Sequence, residues 1–214
     1  MLRVNIGCGQ SPTPGWRNFD NSPSLWLARH PILVSTLRTF RLIDKTQLDN
    51  IAFNRRNSID WADATKHVQL ADGSVEVLYS SHMLEHLDRA EAISFLKEAK
   101  RILRKGGIIR IVVPDLRLYV RKYLDNGDAD ALVGASYLAQ PKPKTISEKL
   151  KLLIVGGRHH YWMYDGVSLC RLLEQAGFEG ANVLEPGQTR IPVPGQLNLF
   201  ERADESAYVE AFCP

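Results

Sequence analysis

The sequence predicts an α/β domain with a mainly parallel sheet and helices on both faces, and three observations carry that reading. Short apolar runs of strand length alternate with longer segments of helical periodicity along the whole chain. Several of those runs are rich in Val, Ile and Leu and stop abruptly on Gly, Asp, Ser or Pro, as buried parallel strands do. Two of the helical segments open on capping residues, Asp88 and Asp165. With 214 residues, 44% of them hydrophobic, residues 1–214 are expected to form one domain with a substantial core.

In chain order, Leu2, Val4 and Ile6 alternate with polar residues and run into Gly7-Cys8-Gly9, a first strand ending in a glycine turn. Ser11-Pro12-Thr13-Pro14-Gly15 is turn chemistry, which leaves room for no more than a very short helix before a second strand, Trp16 to Asp20. A helical insertion is expected at about 24–56. It mixes Trp26, Leu27, Ile32, Leu33, Val34, Leu37 and Phe40 with Arg29, Arg38, Arg41 and Lys45, and Pro31 divides it into two pieces. Ile59 to Ala64 reads as a short strand, and Ala71-Asp72-Gly73 as a turn. Val75 to Tyr79 is apolar enough to be central, and it delivers Ser80, Ser81 and His82 to its C-terminal end.

Asp88 and Glu91 form a capping-box pattern, and Ala92, Phe95, Leu96, Ala99, Ile102 and Leu103 then repeat at helical spacing. A basic last turn of Lys100, Arg101, Arg104 and Lys105 is expected to lead to Gly106-Gly107 as a left-handed stop. Ile108 to Val113 is a buried strand halted by Pro114, and Gln140-Pro141-Lys142-Pro143-Lys144 an exposed loop. A second capped helix runs from Asp165 through Leu169, Leu172, Leu173 and Ala176 to Gly177, with Phe178 placed for the apolar contact after the cap. Strands near Ala181 to Leu184 and Ala207 to Phe212 close the sheet.

Composition narrows the partners. A formal net charge of +3 gives too weak a field to argue for nucleic acid. Cys8, Cys170 and Cys213 are widely spaced and form no C-x-x-C pair, so neither a disulfide framework nor a metal site is expected, and a reducing compartment fits. No signal-type or membrane-spanning apolar run is visible, so the expected location is cytoplasmic.

Ligands of open parallel sheets bind beyond the C-terminal strand ends, where Gly7 to Gly9, Asp20, Asp63, Ser81-His82 and Pro114-Asp115 should gather. Glycines at 7 and 9 let backbone pass close under a ligand, and Asp20 can accept from the two hydroxyls of a ribose. A Gly-x-Gly alone is as often a simple turn. Here Pro12 stands soon after the pair, no third glycine follows, and Asp20 arrives much sooner than in a dinucleotide fingerprint. An adenosine cofactor without phosphate therefore fits better than a nicotinamide dinucleotide.

In their order these segments resemble the class I S-adenosylmethionine-dependent methyltransferases, in particular the small type 11 group, over most of the chain. Val4-Asn5-Ile6-Gly7-Cys8-Gly9 is similar to their first motif, Gly15 to Asp20 to their second strand, and Trp61-Ala62-Asp63-Ala64 to the segment facing adenine. Ser80-Ser81-His82-Met83-Leu84-Glu85-His86-Leu87 with Leu103 to Gly107 is the most specific part. The resemblance implies a Rossmann-like sheet of seven strands with the last antiparallel, and S-adenosylmethionine as cofactor. Gly7, Cys8 and Gly9 would line its methionine portion, Asp20 its ribose, Asp63 and the Ala64 amide its adenine, and Ser81 and His82 its sulfonium. Ser11 replaces the third glycine of the fuller motif and the first helix is nearly absent, which leaves contacts around residues 10–15 open. For Cys8, a small residue filling a tight turn is the preferred reading over a reactive thiol.

Methyl transfer from a sulfonium is an in-line displacement that rests largely on positioning and exclusion of water. A hydroxyl acceptor is helped by a base, and His82, His86, His160 and Asp115 are the candidates, although His86 sits where it would fix the turn before a helix cap. His82, His160 and Asp115 are taken as the catalytic set. A substrate-side segment is expected at about 116–164. It ends in Arg158-His159-His160-Tyr161-Trp162-Met163-Tyr164-Asp165, where His160, Trp162 and Tyr164 match the relatives best and an aromatic cluster packed on the sheet weighs equally. Arg117, Arg121 and Lys122 read as solvated charge ahead of an anion site. The 24–56 insertion admits three readings: a lid over the pocket, which is favoured, a dimer contact, or peripheral membrane contact through residues 24–45. The functional expectation is methylation of a small molecule or glycan intermediate, with oxygen preferred. The alternatives are a non-catalytic interaction module of the same fold and a nicotinamide-binding enzyme.

Overall fold

A computed structural model describes residues 1–40, 42–139, 145 and 159–214. Arg41, the expected loop at 140–144 and Arg158 lie outside the described residues. The strands are β1 (Leu2–Ile6), β2 (Arg17–Asp20), β3 (Ile59–Trp61), β4 (Val75–Ser81), β5 (Leu103–Pro114), β6 (Glu179–Leu184) and β7 (Ser206–Phe212). The helices are α1 (Pro23–Ala28), α2 (Pro31–Thr39), α3 (Lys45–Arg56), α4 (Arg89–Ile102), α5 (Leu116–Asn126), α6 (Ala129–Ala135) and α7 (Gly166–Gln175). Among the described residues no helix is long and apolar enough to cross a membrane.

The strands form one seven-stranded sheet in the order β3-β2-β1-β4-β5-β7-β6. The pairs from β3 to β5 are parallel, and β7 runs antiparallel to both β5 and β6, as the resemblance implies. Because the chain leaves β3 at one edge and returns at β4 beside β1, the strand order reverses there. A crevice opens at the C-terminal ends of β1 and β4, where ligands of such sheets bind.

Periodicity explains the packing. Ala92, Phe95, Leu96, Ala99 and Ile102 of α4 and Leu169, Leu172 and Leu173 of α7 form a continuous apolar cluster with Val4, Ile6, Leu78, Ile109, Ile111 and Val209 of the sheet. On the opposite face Val77, Tyr79, Val112 and Tyr208 pack against Trp16, Ile191, Leu197 and Leu199, so irregular segments rather than a helix cover that region. The expected capping box at Asp88 with Glu91 is present, and the Asp165 cap proves to be a capping box too, exchanging side-chain and backbone hydrogen bonds with Ser168.

Three local expectations need correction. Pro31 does separate two helices, α1 and α2, standing in the first turn of α2 where its missing N–H costs nothing, but a third helix, α3, follows them in the insertion. The third strand stops at Trp61: the Ala62 amide makes a last bond to β2, at the Asp20 carbonyl, and Asp63 then turns the chain by accepting from the Thr65 amide. Gly106-Gly107 does not cap α4. The helix ends at Ile102 with Leu103 already extended, so Arg104 and Lys105 belong to β5. Pairing with β4 slips between Val75↔Leu103 and Val77↔Ile108, and Gly106, at φ 69°, supplies the left-handed residue that this bulge requires.

Arg110 and Glu210 face each other across β5 and β7, both fully buried, with Nη1 2.7 Å from Oε1. Glu210 also accepts from the Thr189 hydroxyl at 2.6 Å and the Arg190 amide at 2.7 Å, and Arg110 donates to the Gln188 carbonyl at 2.9 Å. The pair thus fastens the loop after β6 to the sheet. Removing one partner leaves an uncompensated buried charge, so Glu210→Ala is expected to lose about 3–5 kcal/mol in urea unfolding. An Arg110→Met, Glu210→Leu double variant should recover most of that loss, and a double variant no more stable than the single one would contradict this account.

Candidate active site

The C-terminal ends of β1, β2 and β4 open into a cavity of about 1030 Å³, slightly above the roughly 300–1,000 Å³ usual for small-molecule sites. Leu27 of α1 and Gln47, Asn50, Ile51 and Asn54 of α3 line it, so the insertion supplies a wall of the pocket. Ile32 of α2 and Phe40, which follows it, face solvent.

The first half of the cavity is built on the β1 turn. The amides of Gly7 and Cys8 donate to the Phe19 carbonyl at 2.8 and 3.1 Å, and the Gly9 amide donates to Asp20 Oδ2 at 2.9 Å. Asp20 Oδ1 accepts from the Ser22 amide at 2.7 Å. Each carboxylate oxygen keeps lone-pair capacity, and Asp20, though buried, lines the cavity, so it can still receive a vicinal diol. Buried Asn5 and Asn18 replace the missing first helix: Asn5 donates to the Ser11 carbonyl and Thr13 hydroxyl, and Asn18 accepts from the Thr13 amide.

Gly7, Gly9, Asp63, Ala64 and His82 of the expected set line the cavity, whereas Cys8 and Ser81 do not. The Cys8 side chain packs with Leu25 and Ile59, and burial first and the Asp20 charge second push its thiol up to about 12, so it is space-filling. Burial raises the Asp63 carboxyl, but bonds from Thr65 and Lys66 outweigh it and hold the group below the ordinary range. Asp63 Oδ1 already takes the Thr65 amide and hydroxyl at 3.0 and 2.7 Å, and Oδ2 the Lys66 ammonium at 3.0 Å.

Ionisable groups cluster in the second half. His82 holds a left-handed backbone at φ 50°, a strain of the kind concentrated at functional sites. Its Nε2 lies 3.0 Å from the Ser206 hydroxyl and its Nδ1 3.3 Å from the Arg202 guanidinium. Arginine only donates, so Nδ1 is the accepting nitrogen and Nε2 carries the proton. Glu85 is 1% exposed, and among the described residues neither of its carboxylate oxygens has a hydrogen-bond partner. His82 Nδ1 stands 3.4 Å from Oε1 without forming such a bond. The Glu85 carbonyl accepts from the Tyr161 and Trp162 amides, bringing the segment around His160 onto this turn. His86 donates from Nδ1 to the His159 carbonyl at 2.8 Å, so it ties a distant segment to this turn rather than making the local contact expected of it. His160 is buried, lines the cavity and meets the His86 ring edge-on at 4.9 Å. Burial holds His160 below the usual histidine range, against the opposing pull of Glu85, which keeps it neutral near neutral pH.

Other expected residues lie elsewhere. Asp115 is absent from the cavity wall; its carboxylate accepts from the Arg117 amide at 3.0 Å and caps α5, while burial raises its pKa. Trp162 and Tyr164 stack with Arg89 at 5.0 and 5.9 Å outside the cavity, and Arg117, Arg121 and Lys122 are exposed surface charge. The ionisable cavity residues to which the sequence gave no role are Glu85, Tyr119, Tyr137, Arg202 and Glu205. A lone acid inside the apolar run Met83 to Leu87 was a usable signal for Glu85. Arg202 and Glu205 sit in an irregular loop without a pattern. The Tyr119 phenol, pushed up to about 12 by burial first and by Glu205 second, is no base near neutrality.

A family model described as a methyltransferase domain matches residues 43–111, from the insertion into the middle of β5. No curated protein matches the chain in sequence. Solved structures do match. A methyltransferase from Thermotoga maritima, described as a possible histamine N-methyltransferase, is 16% identical over 100% of this chain and 82% of its own, with a TM-score of 0.52. A methyltransferase from Methanosarcina mazei is 14% identical over 99% of this chain and 91% of its own, TM-score 0.52. One from Mesorhizobium loti is 16% identical over 99% and 90%, TM-score 0.50. At such identities the likeness establishes the fold: the chain has the class I S-adenosylmethionine-dependent methyltransferase fold, and residues 43–111 match the methyltransferase-domain model. S-adenosylmethionine is the cofactor that this class implies, and the free acceptor capacity of buried Asp20 beside the Gly7 to Gly9 turn fits its adenosine.

The turn itself is testable. At Gly7, φ is 74° and an added Cβ would come within 2.4 Å of the Met83 side chain near its root, whereas at Gly9, φ 51°, it would meet nothing within 4 Å. Gly7→Ala is therefore expected to lower thermal stability and S-adenosylhomocysteine affinity well beyond Gly9→Ala, which carries only the roughly 1–2 kcal/mol of left-handed strain. Equal effects in scanning calorimetry would refute the close approach.

Proposed function

We infer that the protein is an S-adenosylmethionine-dependent methyltransferase acting on a hydroxyl of a small molecule or glycan intermediate. The observation that carries this reading is the division of one cavity into a half with a glycine turn and a diol-accepting carboxylate, and a half with histidines. Asp20 takes the ribose hydroxyls, Gly7 and Gly9 let the methionine portion lie against backbone, and Asp63 with the Ala64 amide faces adenine. The sulfonium then points toward His82, and the acceptor enters between His82, His160 and Tyr119. His82 takes the hydroxyl proton on Nδ1 as Arg202 gives up its hydrogen bond to that atom, and His160 flanks the acceptor. Much of the acceleration comes from holding nucleophile and methyl in line within a cavity that excludes water.

Titration calorimetry is expected to give micromolar binding of S-adenosylhomocysteine and none of NADH. Asp20→Ala removes charge-assisted bonds worth roughly 1.5–3 kcal/mol each, a loss of at least tenfold in affinity, with Asp20→Asn as the milder companion that keeps the turn. Unchanged affinity in both variants contradicts the cofactor assignment. Transfer of labelled methyl from S-adenosylmethionine into a panel of hydroxylated metabolites and sugars tests the acceptor. His82→Asn, which tolerates the left-handed backbone, should slow transfer roughly 10²–10⁴-fold with little change in cofactor affinity. Binding without transfer to any acceptor favours an interaction module of the same fold.

A further inference from the structure

We propose that Glu85, His86 and His160 form a binding site for a divalent transition-metal cation, of the Zn²⁺, Co²⁺ or Mn²⁺ type, in the acceptor half of the cavity. One ligand atom from each residue lies within 4.8 Å of the other two, and all three residues line the cavity. Around an ion at about 2.1 Å from each ligand, such atoms stand roughly 3.5 Å apart, so small side-chain rotations close the set. Two histidine nitrogens and one carboxylate leave further positions open toward the cavity, the pattern of a catalytic rather than a structural centre.

Two further observations point to a cation. Glu85 is 1% exposed and its carboxylate oxygens have no hydrogen-bond partner among the described residues, as has the Nδ1 of His160. A buried carboxylate in that condition is costly unless a positive charge completes it. His82 does not supply that charge, because its Nδ1 accepts from Arg202. In addition, His86 donates its Nδ1 proton to the His159 carbonyl at 2.8 Å, which leaves Nε2 with its lone pair. This outer-shell bond is the one that orients metal-binding histidines.

The role of the ion rests on the acceptor reading above, while the site itself does not. An acceptor hydroxyl bound at an open position is acidified by the cation. Its proton passes to His82 Nδ1 as Arg202 releases that atom, an oxygen lone pair forms the new bond to the methyl carbon, and the electrons of the sulfur–methyl bond return to sulfur as the neutral thioether.

The test is titration of the chelator-treated full chain with Co²⁺ alone, followed by visible absorption. A single cobalt per chain with the strong absorption of a low-coordinate site is expected. Glu85→Gln, nearly isosteric, should weaken binding at least tenfold, and His86→Ala and His160→Ala should abolish the spectrum while S-adenosylhomocysteine affinity, measured in parallel, reports that the variants are folded. No cobalt absorption in the wild type, or a spectrum unchanged in all three variants, overturns the proposal. A cobalt spectrum that depends on these residues in a protein that does not bind S-adenosylhomocysteine supports the site and removes the methyltransferase reading instead.

Discussion

The carboxylate of Asp20 is the constraint on which the binding crevice depends. Placed at the end of β2, it gathers the Gly9 amide from the turn after β1 and the Ser22 amide ahead of α1, so two loops that flank the crevice share one anionic anchor. Charge-assisted bonds of this kind are among the stronger in proteins. They set the glycine turn in its left-handed form before any ligand arrives, and preorganisation lowers what binding must later spend on ordering. The same group retains acceptor capacity toward the cavity, so one side chain shapes the site and serves it.

A second anchor works further along the same sheet. The buried Arg110–Glu210 pair holds residues 188–190 against the sheet. The loop then continues over the face of β4, β5 and β7 and brings Arg202 and Glu205 to the cavity, with Arg202 orienting His82. Stability and site geometry are thus coupled through the β5–β7 strand pair as well as through the glycine turn. On the substrate side, the Glu85 carbonyl fastens the chain around Tyr161 and Trp162, which is how His160 reaches the same cavity as His82 from a distant part of the sequence.

Much of this was legible in the sequence where a local physical rule decides the outcome. The strand ends at Gly7, Asp20 and His82, the helix caps at Asp88 and Asp165, and the Gly177-Phe178 stop all follow from residues acting within a few positions of one another. What was not legible depends on contacts between distant segments. Gly106 reads as a helix stop because basic residues precede it, yet pairing of β5 with β4 draws Leu103 into the strand and makes the glycine part of a bulge. Asp115 stands at a strand end and reads as catalytic, but the nearest unsatisfied donor is the Arg117 amide, and the carboxylate turns to it. Arg202 and Glu205 belong to a loop whose path only the Arg110–Glu210 pair and the Ile191 and Leu197 contacts define.

The most direct test of the central claim is a crystal structure of the protein with S-adenosylhomocysteine. The account requires the ribose hydroxyls within hydrogen-bonding distance of Asp20, the amino-acid portion along Gly7 to Gly9, and the sulfur directed at His82 with open space toward His160. A ligand bound with its ribose away from Asp20, or with its sulfur turned from the histidines, would contradict it.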